Sequence, residues 1–269
     1  MIPDPEQVGR LIRDVARSEV LPRFRNLASH EISEKAPGDI VTVADEQAER
    51  ALSERLTKLL PGAGVIGEEQ AAKNPDSFQV LDEDRPVWIV DPVDGTQNFA
   101  DGKSCFAMIV ALVIGGETRA GWIYEPVDDR LVWATKDHGA WESGHRLSLP
   151  EPPPLTAFRG SVAKRIRERL ISGRKDGGPD IPAEMTRYRC VGAEYADLAR
   201  GALQFARYGG RLKPWDHAAG ALIHHEAGGY NALIETGDAY VAGRPTKDLT
   251  FLLAPHRDSW YELRDLLSV

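Results

Sequence analysis

Two aspartates at the end of a strongly apolar segment are the residues of this sequence best suited to chemistry. Residues 87–90 predict a short buried strand, and Asp91 and Asp94 stand where it ends. Two carboxylates on one turn can bind hard divalent cations such as Mg²⁺, which prefer oxygen donors. Gly95 permits close approach of the backbone, and a helix beginning after Thr96 would direct free N–H groups at an anion. A solvated turn with a helix cap is the alternative, and this segment alone leaves it open.

Two further acidic residues stand at comparable places elsewhere in the chain. Glu68 follows a short apolar strand predicted at residues 65–66, and Asp216 begins a predicted helix. Each has a structural alternative. By itself Glu68 is only part of an acidic loop, and for Asp216 taken alone a helix N-cap is the favoured interpretation.

Four segments containing these acids stand in a recognisable order. They are Asp39-Ile40-Val41-Thr42-Val43-Ala44-Asp45, Gly67-Glu68-Glu69, Trp88-Ile89-Val90-Asp91-Pro92-Val93-Asp94-Gly95-Thr96-Gln97-Asn98-Phe99, and Trp215-Asp216-His217-Ala218-Ala219-Gly220 with Glu226-Ala227-Gly228-Gly229 downstream. Together they resemble the inositol monophosphatase family of metal-dependent, lithium-sensitive phosphatases. Any one segment is common, but all four in this order and at the family's approximate spacing are specific. The resemblance runs from Lys35 to Gly229 and so covers most of the chain.

The resemblance implies a set of metal ligands. It implies that Glu68 and Asp91 bind a first Mg²⁺, together with the carbonyl oxygen of Val93. It implies a second ion bound by Asp91, Asp94 and Asp216. Two or three Mg²⁺ ions are therefore expected as the cofactor.

The same resemblance implies the residues that act on water and on the phosphate. Asp45 and Thr96 are expected to orient the attacking water, and Glu68 is grouped with them as catalytic. The backbone N–H groups of Gly95 and Thr96 are expected to hold the phosphate, and Asp216 is also expected to contact the substrate. Independently of the resemblance, Asp45 and the threonine three residues before it form the pattern of a helix capping box, which is compatible with the catalytic role.

The charge of the protein agrees with a requirement for cations. A phosphate monoester dianion repels hydroxide, and a protein with a net charge of −8 repels both. Two or three Mg²⁺ ions neutralise the phosphoryl oxygens, lower the pKa of bound water and stabilise the leaving alkoxide. Without metal, four carboxylates at one site repel one another, so we expect raised pKa values or poor order there.

Two positions bear on the leaving group. The glutamate that touches the sugar ring in inositol-specific members, seven residues before the last metal aspartate, is replaced here by Gly209. Glu194 is predicted to bind substrate, with a solvated glutamate at a helix start as the alternative. A negative charge there would favour a cationic or hydroxyl-bearing leaving group and disfavour a second phosphate. The expected substrate is a small polyol phosphate resembling inositol 1-phosphate, and the alternatives are histidinol phosphate and a 3'(2'),5'-bisphosphate nucleotide.

The elements that must position these residues follow from the apolar pattern. The periodicity predicts one helix over residues 5–28 and a second from Thr42 to Pro61-Gly62. A meander of strands is predicted at 87–90, 106–114, 120–124, 131–134 and 140–141. Farther along, helices are predicted at 192–203, at 215–226 and from 258 onward, with strands at 204–208, 230–234 and 249–254.

A proline-rich segment divides these elements into two groups. Three consecutive prolines at 152–154 predict a stiff connector. We expect residues 1–150 to form an α+β half with an antiparallel sheet and most metal ligands. Residues 151–269 are expected to form an α/β half that supplies the last metal aspartate and the substrate pocket. The resemblance implies that both halves belong to one mixed α+β fold, the layered αβαβα sandwich of the sugar phosphatases.

Composition and motifs exclude several other classes of protein. The excess of 41 acidic over 33 basic side chains argues against general nucleic-acid binding. The basic segment at 159–175 is predicted to be a solvated helix face rather than an RNA contact. A nucleotide-binding kinase or GTPase is excluded because no phosphate-binding Gly-x-x-x-x-Gly-Lys-[Ser/Thr] loop is present.

Cellular context is predicted by similar reasoning. No apolar run reaches the length of about 20 residues that a membrane span needs, and the N-terminus lacks a signal-peptide pattern, so a cytoplasmic protein is expected. The partner expected is a small phosphorylated metabolite, and the family resemblance implies a homodimer. A regulatory binding protein associated with RNA or transcription is the alternative from another class.

Overall fold

The computed structural model describes residues 2–244 and 246–268, except for the side chains of Pro75, Asp76 and Asp82. The α-helices in these ranges are α1 (Pro5–Val15), α2 (Val43–Leu59), α3 (Glu68–Lys73), α4 (Thr96–Ala100), α5 (Lys164–Lys175), α6 (Val191–Ala199), α7 (Pro214–Glu226) and α8 (Arg257–Leu267). The strands are β1 (Ile32–Ala36), β2 (Asp39–Thr42), β3 (Gly64–Gly67), β4 (Val87–Asp94), β5 (Ala107–Ile114), β6 (Glu117–Glu125), β7 (Arg130–Thr135), β8 (Ala140–Glu142), β9 (His145–Leu147), β10 (Arg159–Ser161), β11 (Glu184–Thr186), β12 (Phe205–Gly210), β13 (Tyr230–Leu233) and β14 (Leu249–Ala254).

Two sheets contain most of these strands. The first runs in the order β3-β4-β5-β6-β7-β8-β9 and is antiparallel except for the parallel pair β3–β4. The second runs β11-β10-β12-β14-β13, with its first three strands parallel and the rest antiparallel. A separate hairpin, β1–β2, precedes α2. The first sheet therefore extends the predicted meander by β3 and β9.

Three apolar clusters join the sheets and helices into layers. The first cluster lies between α1–α2 and one face of the first sheet, and includes Val8, Leu52 and Trp88. The central cluster fills the space between both sheets around α6 and α7, and the third packs α5 and α8 on the outer face of the second sheet. This arrangement confirms the predicted mixed α+β fold with layers in the order αβαβα. The alternation of β4 side chains explains the layering, because Trp88 and Ile89 face opposite clusters.

Some boundaries differ from the predictions. The helix predicted over 5–28 is α-helical only to Val15 and continues as a π-helix over Ala16–Val20. Five residues of π-helix shift the register of side chains, so apolar periodicity continues past the end of regular α-helix. The helix predicted at 192–203 ends at Ala199, since the chain turns at Gly201 with a φ of 75°.

Residues 151–154 carry no regular secondary structure and lead to the second sheet, while the central apolar cluster contains residues from both sides of this connector. The division at residue 150 stays a prediction. Within the described residues, no helix has the length and apolar character that crossing a membrane requires.

Candidate active site

The end of β4 carries two of the predicted metal ligands. Asp91 pairs with Ile109 of β5 and Asp94 pairs with Ala107, so the register shifts between them and the intervening residues bulge. The bulge is stabilised by Asp91, whose Oδ1 accepts the backbone N–H of Val93 at 3.1 Å. Burial and the neighbouring carboxylates raise the pKa of Asp91 well above its usual range. The bulge therefore holds a buried acid, without an ion-pair partner among the described residues, at the end of β4.

Asp94 connects this strand end to helix α6. Its Oδ2 accepts the backbone N–H of Gly192 at 2.5 Å and the thiol of Cys190 at 3.1 Å. Burial raises the pKa of Asp94, although these donors lower it. A side chain at Gly192 would meet Ala107 Cβ at 2.9 Å, so glycine is what lets the helix approach the carboxylate. Asp94 thus has a capping role at α6 beside its predicted metal role.

Asp45 and Thr96 lie together, as predicted. Oδ2 of Asp45 accepts the backbone N–H of Thr42 at 2.9 Å and its hydroxyl at 2.6 Å, which confirms the predicted capping box of α2. Oδ1 faces the hydroxyl of Thr96 at 3.1 Å, and that hydroxyl is also 3.0 Å from the carbonyl oxygen of Val93. Burial raises the pKa of Asp45 to about 6, even though the Thr42 donors lower it. One hydroxyl therefore joins the predicted water-orienting acid to a predicted metal-binding carbonyl.

Glu68 is positioned by a residue that the sequence analysis did not single out. Glu49 of α2 accepts the backbone N–H groups of Glu69 at 2.7 Å and Gln70 at 2.9 Å, and so caps the start of α3. A methyl group at Gly67 would lie 2.2 Å from the Glu49 carboxylate, so any side chain there would have to displace that carboxylate. Because Glu68 is the first residue of α3, this cap fixes its position.

Lys35 is the cation nearest to Glu68 in the structure. Its Nζ donates to Oε1 of Glu68 and to Oε1 of Glu69, both at 2.9 Å. Burial by itself lowers the pKa of Lys35, but the two carboxylates raise it above its ordinary value. Burial likewise raises the pKa of Glu69 to about 7. Lys35 therefore compensates part of the negative charge on the Glu68 side of the site.

Asp216 closes the other side of the group. It occupies the first turn of α7, where the helix dipole favours an acid. Burial, followed by the charges of Asp94 and Glu68, raises its pKa well above the usual range, while Lys213 and Lys35 lower it. Burial, followed by the charges of Glu68, Asp94 and Asp216, raises the pKa of Asp91 in the same way. These predicted metal ligands therefore lie close enough together for their negative charges to repel one another.

The donor set fits a hard divalent cation. Among the described residues, no three acidic, histidine or cysteine side chains stand close enough together to hold a metal ion as they are placed. The groups that face one another are nevertheless carboxylates and one carbonyl, the oxygen donors that Mg²⁺ prefers. Asp91 and Asp94 are 2% and 8% exposed, and no Lys or Arg forms an ion pair with either in the described part of the chain. Buried acids of this kind are stable in charged form only beside a cation.

A cavity of about 410 Å³ opens beside Asp216. It lies between the starts of α5 and α7 and the ends of the second sheet, and Gly209 forms part of its wall. Its charged residues are Arg165, Arg187, Arg207, Arg211, Asp216 and Asp248. A larger cavity of about 650 Å³, on the His225 side of α7, has none of the predicted site residues in its wall. The smaller cavity is therefore the candidate pocket for a leaving group.

Glu194 is placed away from that pocket. It is 1% exposed, and its carboxylate accepts the backbone N–H of Tyr188 and the hydroxyl of Tyr208, both at 2.8 Å. Burial raises the pKa of Glu194, and these donors lower it. Both oxygens are thus bound within the protein, and direct contact with a substrate stays a prediction that no contact here supports. The charged side chains in the wall of that cavity are mainly arginines.

Several site residues were not predicted from the sequence. Lys35, Glu49 and Glu69 act through contacts between separate elements, and no local pattern marks them. The basic segment at 159–175 was predicted as a solvated face, yet Arg165 lines the cavity and Nη2 of Arg169 is buried. Their positions on one helix, one turn apart, were the available signal.

Comparison with known proteins identifies the family. The model of the inositol monophosphatase family matches residues 7–257. A Rhizobium meliloti protein named inositol-1-monophosphatase is 34% identical over 224 residues, covering 80% of this chain and 79% of its own. An Aquifex aeolicus protein named fructose-1,6-bisphosphatase/inositol-1-monophosphatase is 32% identical over 234 residues, 83% of each chain. The Escherichia coli (strain K12) Nus factor SuhB is 31% identical over 262 residues, 88% of each chain.

Comparison with solved structures agrees with the family match. The solved structure of a Thermotoga maritima IMPase superposes with a TM-score of 0.80 at 23% identity, covering 98% of this chain and 96% of the other. The mixed α+β fold of this chain is therefore the fold of that IMPase. The chain belongs to the inositol monophosphatase family. Membership supports a phosphatase activity, and enzymes of this family are generally Mg²⁺-dependent and act on small phosphorylated substrates.

Proposed function

We propose that this protein hydrolyses a small phosphate monoester with Mg²⁺, using water as the nucleophile. The observation that carries the proposal is the group of Asp91, Asp94 and Asp216. Burial raises the pKa of all three, the charges of Asp94 and Asp216 further raise that of Asp91, and the charge of Asp94 further raises that of Asp216. A protein gains nothing in stability from such a group unless cations bind there. Oxygen donors at the end of a buried strand, beside an open cavity, suit Mg²⁺ and a phosphate together.

Two groups of ligands would hold the metal. Glu68, Asp91 and the carbonyl of Val93 would hold one ion, and Asp91, Asp94 and Asp216 a second. Mg²⁺ at these positions would neutralise the phosphoryl oxygens and make water acidic enough to attack. Lys35 would give up Glu68 to the incoming cation, since both compete for the same oxygen.

The remaining steps belong to the protein's own groups. The hydroxyl of Thr96 donates to Asp45 Oδ1 at 3.1 Å, so a water that contacts both groups from the side would be oriented by them and could lose its proton to the carboxylate. The backbone N–H groups of Gly95 and Thr96 would bind the phosphate where α4 begins. Gly95 adopts a φ of 85°, a conformation that favours glycine. No covalent nucleophile is needed.

A phosphate-release assay tests this function. Purified protein with Mg²⁺ should release inorganic phosphate from inositol 1-phosphate and from other small polyol phosphates, and excess chelator should stop the reaction. Li⁺ should inhibit the Mg²⁺-loaded protein. Absence of phosphate release from every monoester in a panel that includes histidinol phosphate and a nucleotide bisphosphate would contradict the proposal.

A second function has support from a different kind of observation. Relatives named Nus factor SuhB cover 88% of this chain at 31% identity, so a transcription-associated binding role is the competing proposal. The two proposed functions require different residues at the site, because a binding role alone does not need Asp45, Glu68 and Thr96 together. Enzymatic hydrolysis is therefore the function we favour. A homodimer is also proposed, and the mass of the protein measured by light scattering tests it.

A further inference from the structure

The cavity beside Asp216 has an unusual charge for an acidic protein. Arginines reach it from four separate segments: Arg165 at the start of α5, Arg187 after β11, Arg207 on β12 and Arg211 before α7. The acids in its wall are Asp216 and Asp248. Because Asp216 is assigned to metal, the wall facing a leaving group is net positive.

These arginines are not paired with acids in the part of the chain that the structure describes. Among the described residues, none of the four forms an ion pair, although Glu235 and Glu194 lie near enough to Arg207 and Arg187, respectively, to act at longer range. Nε of Arg207 is buried without a hydrogen-bond partner, and its Nη2 reaches only Thr250 Oγ1 at 3.5 Å. A buried donor without a partner costs stability, and an anion bound at the guanidinium of Arg207 would offset part of that cost.

Neighbouring basic residues increase this cost. Burial, and after it the charges of Arg169 and Arg165, lower the pKa of Arg207. Nη2 of Arg169 is likewise buried without a partner. Three guanidinium groups therefore lie close together, and an anion would relieve both their repulsion and their unfilled hydrogen-bonding capacity.

Gly209 keeps the cavity basic. A Cβ at this position would be 3.4 Å from Arg207 Nη1, an ordinary contact distance, and its backbone is not in the left-handed region. A glutamate at 209 would therefore start beside Arg207 and could pair with it. With glycine, the guanidinium remains available to a ligand.

From this cavity we infer that the substrate is a phosphate monoester whose leaving group carries a second phosphate, bound by Arg207 with Arg165, Arg187 and Arg211. The inference rests on the proposed function, because it assigns the leaving-group side of the same site. It reverses the expectation drawn from Glu194, that a second phosphate is disfavoured. Guanidinium groups suit this role because their planar donors match phosphate oxygens in pairs.

A matched pair of substrates tests the inference. The ratio of kcat/KM for fructose 1,6-bisphosphate to that for fructose 1-phosphate should be about ten or more in the wild type, the effect of one charge-assisted contact. Arg207→Gln and Arg187→Gln should each lower this ratio several-fold. Gly209→Glu should lower it further, because the new carboxylate competes with the second phosphate. Arg174→Gln is the control, since Arg174 pairs with Asp180 outside the cavity and its loss should leave the ratio unchanged.

The ratio separates recognition from structural damage. A variant that merely folds poorly loses activity on both substrates, so its ratio stays that of the wild type. A wild-type ratio near one, or an unchanged ratio in all three pocket variants, would overturn the inference while leaving the proposed phosphatase intact.

Calorimetry with the same two compounds in chelator gives a readout independent of turnover. Tighter binding of the bisphosphate, reduced in Arg187→Gln, is expected because the arginines need no metal. If this binding is found but no phosphate is released with Mg²⁺, the proposed function fails and the anion pocket stands. Equal binding of both compounds would contradict the pocket.

Discussion

Asp94 Oδ2 accepts the backbone N–H of Gly192 at 2.5 Å, so one predicted metal ligand also caps helix α6. The loop after β4 and the helix that borders the pocket are therefore fixed by the same carboxylate. Removing the charge and removing the cap are separable changes, because an asparagine can still accept the N–H through its amide oxygen.

Asp94→Asn should keep the fold and lose catalysis. The cap persists, but a negative ligand is gone, and we expect kcat to fall by at least about 10³-fold, the scale of losing a major electrostatic contribution. Asp94→Ala should lose catalysis and also about 1 kcal/mol of unfolding free energy, the value of a helix cap. Urea unfolding of both variants measures the difference. Equal destabilisation by the two substitutions would show that the cap does not depend on the carboxyl oxygen.

Asp45→Asn should separate chemistry from metal binding. The amide can still accept from Thr42 and keep α2 capped, but it cannot take a proton from water. We expect turnover to fall by about 10²-fold or more while Mg²⁺ affinity stays close to that of the wild type. Calorimetric titration with Mg²⁺ supplies the check. A loss of affinity as large as that of Asp94→Asn would assign Asp45 to the metal instead.

Gly67→Ala should weaken Mg²⁺ binding through a residue that touches no metal. The new methyl group would lie 2.2 Å from the Glu49 carboxylate and would displace the cap of α3, moving Glu68 with it. We expect a higher Mg²⁺ concentration for half-maximal activity. Gly173→Ala is a suitable control, since nothing lies within 4 Å of its Cβ and a helical alanine should stabilise α5 by about 0.5–1 kcal/mol. Unchanged Mg²⁺ dependence in Gly67→Ala would mean that Glu68 is positioned by something else.

The buried histidines of α7 should make the protein less stable in acid. Burial lowers the pKa of both His224 and His217 to about 3, so the unfolded chain binds their protons at a higher pH than the folded protein does. This stability is complete above the unfolded pKa of about 6.5 and is lost as pH falls toward 3, by up to about 1.4 kcal/mol per pH unit for each histidine.

His224→Gln should therefore reduce the slope of unfolding free energy against pH between 6 and 4. The exposed neighbour His225 is the matched control, and His225→Gln should leave that slope unchanged. Denaturant titrations at a series of pH values measure both. A wild-type slope retained in His224→Gln would show that His224 is already charged in the folded protein.

Structural features that depend on residues within one element were predicted well from the sequence. A continuous apolar run at residues 87–90 located β4, and the spacing of Thr42 and Asp45 predicted a capping box that the structure contains. Family resemblance supplied the mixed α+β fold, which no local pattern specifies.

Contacts between elements were not predictable in the same way. The pairing of Glu49 with the start of α3 spans 20 residues of sequence and depends on the packing of two helices. Glu194 shows the same limit, because its partner Tyr208 lies 14 residues away and the sequence alone does not reveal that pairing. The arginines of the pocket come from four segments, and only the fold reveals that they share a cavity.

The Mg²⁺ dependence of phosphate release tests the central claim most directly. Phosphate released from inositol 1-phosphate would be measured against free Mg²⁺ for the wild type and for Asp91→Asn, whose carboxylate is assigned to both ions. We predict no release in chelator, a steep rise with Mg²⁺ in the wild type, and a rate lower by at least about 10³-fold in Asp91→Asn at every concentration. Full turnover in chelator, or wild-type turnover by Asp91→Asn, would contradict the account.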